Sequence, residues 1–149
     1  MTPSSKLDLY LRKNGLKLTK QRRLILEKFV SLNRHVTPDE MLTLLKPDMP
    51  NLGLATLYRT MKLFVQADIA HERRFADGLT RYEYAVEGEH HDHIICTDCG
   101  FIIEFEDDII EERQRLVSQK YGIDIQSHRL DIYGTCLNVE TCERRQSSS

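Results

Sequence analysis

What this chain lacks narrows its role before anything it contains. No run approaches the ~18 apolar residues of a membrane-spanning helix, and the opening stretch MTPSSKLDLYLRKNG has no apolar core of the kind a secretory signal carries. A soluble cytoplasmic protein with no membrane partner is expected. Cysteine is scarce, with 4 in 149 residues, and falls into two pairs, Cys96/Cys99 and Cys136/Cys142. In a secreted domain such pairs suggest disulfides, whereas in a reducing compartment they suit metal thiolates. Neither HExxH nor the His-x-Glu with Pro-Cys-x-x-Cys pattern occurs, so the arrangements that give a zinc hydrolase or deaminase its general base are missing. An enzyme is not expected, nor is a small organic substrate.

Net charge is modest, at −2, but unevenly spread. Residues 1–85 carry 15 Lys and Arg against 9 Asp and Glu, whereas residues 86–149 carry 6 against 14. The basic half suits a polyanion and the acidic half suits cations.

The basic half reads as helices. Leu7, Tyr10 and Leu11 recur at helical spacing before Gly15, and Thr19 can cap a second helix whose face is outlined by Leu24, Ile25, Lys28, Phe29 and Leu32. Thr37, Pro38 and Glu40 form an N-cap, first-turn proline and capping box ahead of a third helix that Pro47 ends. After a short turn, LATLYRTMKLFVQAD places Leu54, Leu57, Met61, Leu63, Phe64 and Val65 on a fourth. The last two helices suggest a helix-turn-helix. Two strand-like runs flank Asp77-Gly78, a strong hairpin signal, and make a wing carrying Arg73 and Arg74. In a winged helix the fourth helix would enter the major groove of double-stranded DNA and present Thr56, Tyr58, Arg59 and Lys62. His71, on the wing, reads as a surface residue.

In the acidic half, HHDHIICTDCG puts three histidines, two aspartates and two cysteines into residues 90–100. Alternation along a strand separates His91 and His93 from His90 and Asp92, so one strand can feed two sites while the CxxC knuckle feeds a third. FIIEFED is a strand in which Glu104 either faces water or meets a cation. A helix opening on Asp107 and Asp108 follows, stopped at Gly122, and IDIQSHRLDIYGTC carries a strand pair's worth of sequence with His128. His and carboxylate sets suit iron, manganese or zinc, and all-thiolate sets suit zinc. The expected fold is α+β, a winged helix-turn-helix domain over residues 1–86 followed by a small α/β dimerisation domain over 87–149. A structural zinc-ribbon interaction module is the rival reading.

GLATLYRTMKLF, RYEY, HHDHIICTDCGFIIEF, IEERQ and SHRLDIYGTC together resemble the ferric uptake regulator family over roughly residues 7 to 142. The resemblance implies a homodimeric, metal-responsive repressor that binds operator DNA. By position it implies a structural Zn2+ on Cys96, Cys99, Cys136 and Cys142, and a regulatory metal at the domain junction on His35, Glu83, His91, His93 and Glu104. It implies a further metal on His90, Asp92, Glu111 and His128. Tyr58 and Arg59 would contact DNA, and Lys17 would reach an A/T-rich minor groove. Fe2+ is the implied corepressor, with Mn2+ or Zn2+ as substitutes. A peroxide sensor of the family typically has Asp where this chain has Glu104, and a zinc sensor often recruits a cysteine, of which none is spare. Five residues separate Cys136 from Cys142, where the family commonly has two or four.

Overall fold

The computed structural model describes residues 1–86, 90–138, Glu140 and Cys142. The chain forms two compact units, Met1–Gly88 and Glu89–Ser149.

The first unit packs four helices, α1 (Pro3–Lys13), α2 (Lys20–Leu32), α3 (Pro38–Leu45) and α4 (Leu54–Gln66), with the hairpin β1 (Ala70–Arg74) and β2 (Thr80–Tyr84). Thr2 and Thr19 cap α1 and α2 by accepting from the backbone N–H of Ser5 and Arg22. Thr37 and Glu40 complete the capping box of α3, each side chain 3.2 Å from the other's backbone N–H. Such a cap satisfies helix-end N–H groups that would otherwise lack partners.

The core takes Leu7 and Leu11 from α1, Met41 and Leu45 from α3, and Leu57, Met61 and Phe64 from α4, with the Phe29 and Phe64 rings 6.0 Å apart. On α2 the buried residues are Ile25, Leu26 and Phe29, while Leu24 and Lys28 are only half-buried. Leu26 and Ile25 precede Phe29 by three and four positions and so share its face. On α4, Leu57, Thr60, Met61 and Phe64 form the buried stripe; Leu63 and Val65 pack at its margin, and Leu54 is exposed.

The hairpin closes as Asp77-Gly78 requires. Gly78 adopts φ +81°, a value that favours glycine, and its N–H donates to the Phe75 carbonyl at 2.9 Å. Asp77 accepts from the Leu79 N–H and from Arg81, and the Arg81 guanidinium holds its carboxyl below the ordinary value. An isolated antiparallel bridge joins Val36 to Tyr82, N–H to carbonyl in both directions at 2.9 and 2.8 Å. It ties the segment before α3 to the wing.

The second unit is a three-stranded sheet in the order β4-β3-β5, made from β3 (Asp92–Cys96), β4 (Ile102–Phe105) and β5 (Asp131–Gly134), with α5 (Asp108–Lys120) between β4 and β5. β3 runs antiparallel to β4 and parallel to β5, and the parallel pair needs the helical crossover that α5 provides. Asp107 caps α5 by accepting from the Ile109 and Ile110 N–H groups. The strand pair expected in IDIQSHRLDIYGTC is a single strand. Among the described residues, 123–129 lie outside every strand, and they carry the exposed Ile123 and Ile125, while the Leu130 carbonyl accepts from the His93 N–H at 3.0 Å.

Burial, followed by the charge of Glu72, pushes the Tyr82 phenol from 10.0 up to about 12. The raised value favours the neutral ring in the folded chain, so its contribution is complete below pH 10 and is lost as pH rises towards 12. Denaturant unfolding followed from pH 9 to 12 should show this alkaline loss, and Tyr82→Phe should remove it. An identical pH profile in Tyr82→Phe would assign the loss to other groups.

Candidate metal centres and nucleic-acid interface

The thiol cluster grows from the end of β3. Cys96 closes the strand, and a tight turn returns the chain: the Gly100 N–H donates to the Cys96 carbonyl at 2.8 Å and the Cys96 N–H to the Phe101 carbonyl at 3.0 Å. Gly100, at φ +72°, permits the reversal that brings Cys99 beside Cys96. Parallel pairing of Cys96 with Gly134 then sets Cys136 alongside. The Cys136 sulfur lies 3.3 Å and the Cys142 sulfur 3.8 Å from that of Cys96, and all four sulfurs lie within 4.8 Å of one another. Zinc bound tetrahedrally by sulfurs at ~2.3 Å spaces them about 3.8 Å apart, so the cluster fits that ion. The five-residue spacing to Cys142 is absorbed by a turn in which the Cys142 N–H donates to the Asn138 carbonyl at 3.1 Å. Hydrogen bonding from the Cys99 backbone, with a smaller contribution from the Cys136 thiol, draws the Cys96 thiol down to about 6. Hydrogen bonding with the Cys99 and Cys136 side chains and burial push Cys142 up.

A second cluster joins β3 to α5. His90 and His128 bring their Nε2 atoms to 2.8 Å of each other, and Asp92 Oδ1 lies 3.4 and 3.6 Å from them. Glu111 Oε1, from the first turn of α5, is 3.2 Å from His128 and 3.6 Å from His90. Asp92 is fully buried, and neither of its oxygens has a hydrogen bond among the described residues. An ionised carboxylate so placed is costly unless a cation meets it. Two imidazoles and two carboxylates converging on one point fit a divalent metal ion.

The residues expected at the regulatory site fall in both units. In the first, the Val36–Tyr82 bridge makes His35 and Glu83 cross-strand neighbours, with His35 Nε2 2.7 Å from Glu83 Oε2. Neighbouring ligands around an ion with bonds of ~2.1 Å stand about 3 Å apart, so this pair fits as two corners of a coordination shell. The other Glu83 oxygen accepts from Arg73 Nε at 3.0 Å. In the second unit, His93 and Glu104 are paired across β3 and β4, and His91 Nε2 lies 3.8 Å from the exposed Glu104 carboxylate. The sequence reading missed Asp131. Register places it opposite His93, 3.4 Å from Nδ1, where it can fix the ring's tautomer and orientation. Its signal was its place on a strand parallel to β3, which only the fold reveals.

On α4, Tyr58, Arg59 and Lys62 are exposed and Thr56 is half-buried, because the opposite face is spent on Leu57, Met61 and Phe64. Arg59 donates to the Thr56 hydroxyl at 3.2 Å. Lys17 and Arg74 are exposed, His71 is an exposed wing residue, and Arg73 is turned to Glu83.

The family model described as the ferric uptake regulator family matches residues 13–133. The chain belongs to that family. It is 39% identical over 138 residues to the ferric uptake regulation protein of Haemophilus influenzae, covering 92% of this chain and 94% of that one. It is 36% identical over 126 residues to the peroxide-responsive repressor PerR of Staphylococcus aureus, covering 85% and 84%. The Helicobacter pylori ferric uptake regulator, whose structure reveals three functional metal-binding sites, aligns with a TM-score of 0.85 at 32% identity over 96% of this chain and 95% of that one. As a family member the chain is a metal-responsive, DNA-binding transcriptional repressor, not an enzyme. No helix among the described residues is long and apolar enough to cross a membrane.

Cys96→Ser should remove one zinc per chain and destabilise the sheet that Cys96 terminates, because structural zinc contributes folding free energy directly. Cys142→Ser should do the same despite the long spacing. Elemental analysis after gel filtration decides it; full zinc content in either variant would remove that cysteine from the site.

Proposed function

We propose that this protein is an iron(II)-activated repressor, acting as a homodimer on double-stranded operator DNA in the cytoplasm. In this reading Cys96, Cys99, Cys136 and Cys142 hold structural zinc. His35, Glu83, His91, His93 and Glu104 bind the regulatory ion, and His90, Asp92, Glu111 and His128 a further one. The observation that carries the reading is His35 set against Glu83 by the Val36–Tyr82 bridge, which seats metal ligands at the root of the wing, on the unit that reads DNA. Metal bound at His35 and Glu83 would hold the wing, and with it α4, in one arrangement selected from those open to the metal-free protein.

Dimerisation is supported by apolar surface in the second unit. α5 buries none of its residues, and Ile109, Val117, Tyr121, Ile123, Ile132 and Tyr133 are exposed. Apolar area on this scale marks an interface. Two recognition helices would then address successive major grooves.

Iron is favoured over peroxide sensing by Glu104, whose longer side chain changes how its carboxylate approaches the ion and what room is left for peroxide. On DNA, Tyr58, Arg59, Thr56 and Lys62 face the groove, Lys17 reaches the flanking minor groove, and Arg74 meets the backbone.

Replacing Arg59 by Ala should relax base preference at about 1–3 kcal/mol, whereas Lys17→Ala should weaken binding to A/T-rich flanks, both only with metal present. Equal losses for Arg59→Ala on selected and random duplexes would reduce that residue to a phosphate contact. His91→Ala or Glu104→Ala should abolish metal-activated DNA binding and leave a zinc-loaded dimer. Metal-activated binding that survives both substitutions would exclude these ligands. Rapid oxygen addition to His35 or His91 at micromolar peroxide, seen by mass spectrometry, would make the protein a peroxide sensor.

A further inference from the structure

Arg73 stands on the wing, where a cation is expected to meet DNA phosphate, yet its guanidinium is committed elsewhere. Along β1, alternation puts His71 and Arg73 on one face and Glu72 and Arg74 on the other. Register sets Glu83 opposite His71 and Arg81 opposite Arg73. Two arginines facing each other across a ladder repel. Each is therefore given its own carboxylate: Arg81 bonds Asp77 at 2.8 Å, and Arg73 bonds Glu83 at 3.0 Å. The Glu83 side chain is 12% exposed and that of Arg73 is 27% exposed, so their contact is half-sheltered from water.

We propose that Arg73 is a positioning residue for the regulatory metal, acting through Glu83, and not a DNA contact. The inference rests on the reading that His35 and Glu83 bind that metal. The two Glu83 oxygens meet different groups. Oε1 is held by Arg73, and Oε2 lies 2.7 Å from His35 Nε2, the corner where an ion would be met. A carboxylate pinned at one oxygen loses the rotation that would carry the other away, so the ligand pair is assembled before the ion arrives. Two effects of Arg73 oppose each other. Its charge works against an incoming divalent cation, and its hydrogen bond works for one. Water screens the charge of a partly exposed guanidinium, whereas the directed bond keeps its geometry, so positioning wins. Loss of such a supporting partner typically weakens metal binding by about 10- to 100-fold. Arg74 stands on the other face of β1 and is exposed.

The test uses the zinc-loaded full chain and Mn2+ as a probe metal that resists oxidation, with binding read by calorimetry. Glu83→Gln first identifies which Mn2+ binding event depends on Glu83. Arg73→Ala should weaken that same event about 10- to 100-fold, and Arg73→Lys, which keeps a donor, should restore most of the loss. At saturating Mn2+, the salt dependence of DNA binding should be the same for Arg73→Ala as for the unaltered protein. A phosphate contact would instead lower the slope by about 1. Unchanged or tighter Mn2+ binding in Arg73→Ala, or a lowered salt slope, overturns the inference while Glu83 stays a ligand. If Glu83→Gln removes no Mn2+ binding event, the assignment of Glu83 falls and the inference with it.

Discussion

A carboxylate taken out of water must meet a positive charge, and the second unit of this protein buries one that meets no hydrogen-bond donor among the described residues. Asp92 is fully buried at the start of β3, with only the nitrogens of two histidines at 3.4 and 3.6 Å. Three strands and one helix bury little else: Ile95, Cys96 and Cys142 are the buried apolar residues described there. A core so small cannot by itself offset the entropy of ordering the chain. In the function proposed above, metal ions at the thiol and imidazole clusters, with a second copy over the exposed apolar face, would provide what the core does not. Metal binding and the folded dimer would then be linked through the same residues.

The first unit has the opposite economy. Its core is full, α1, α2 and α3 are capped by side chains, and α4 exposes Tyr58, Arg59 and Lys62 because Leu57, Met61 and Phe64 anchor the other face. Communication with metal needs few parts. The Val36–Tyr82 bridge fixes His35 beside Glu83, Glu83 is shared with Arg73, and the His35 ring stands edge-on to Phe75 at 5.9 Å, next to the wing turn. Tyr82, buried in the core, is both the bridge partner of Val36 and the neighbour of Glu83 along β2. A change at His35 therefore reaches the wing through contacts a few residues long.

Features governed by neighbours in sequence were legible beforehand: the caps at Thr19 and Thr37, the turn at Asp77-Gly78, the buried positions Leu57, Met61 and Phe64. Strand parity also separated His90 and Asp92 from His93, although β3 begins only at Asp92. Features governed by register were not legible. Leu26 replaced Leu24 in the core of α2, a strand pair became one strand, and Asp131 emerged as the partner of His93 only once β5 lay parallel to β3. Arg73 illustrates the same limit. Its bond to Glu83 follows from the pairing of β1 with β2 and cannot be read from the sequence.

The linkage between metal and DNA is open to direct measurement. Protein carrying its structural zinc is titrated with iron(II) under anaerobic conditions, and binding to a fluorescent duplex selected from a random pool is followed by anisotropy. DNA binding should be weak with zinc alone, rise as iron(II) binds, and fall again on chelation of the iron. Full sequence-specific binding by the zinc-only protein, unaltered by iron(II), would contradict metal control of this fold.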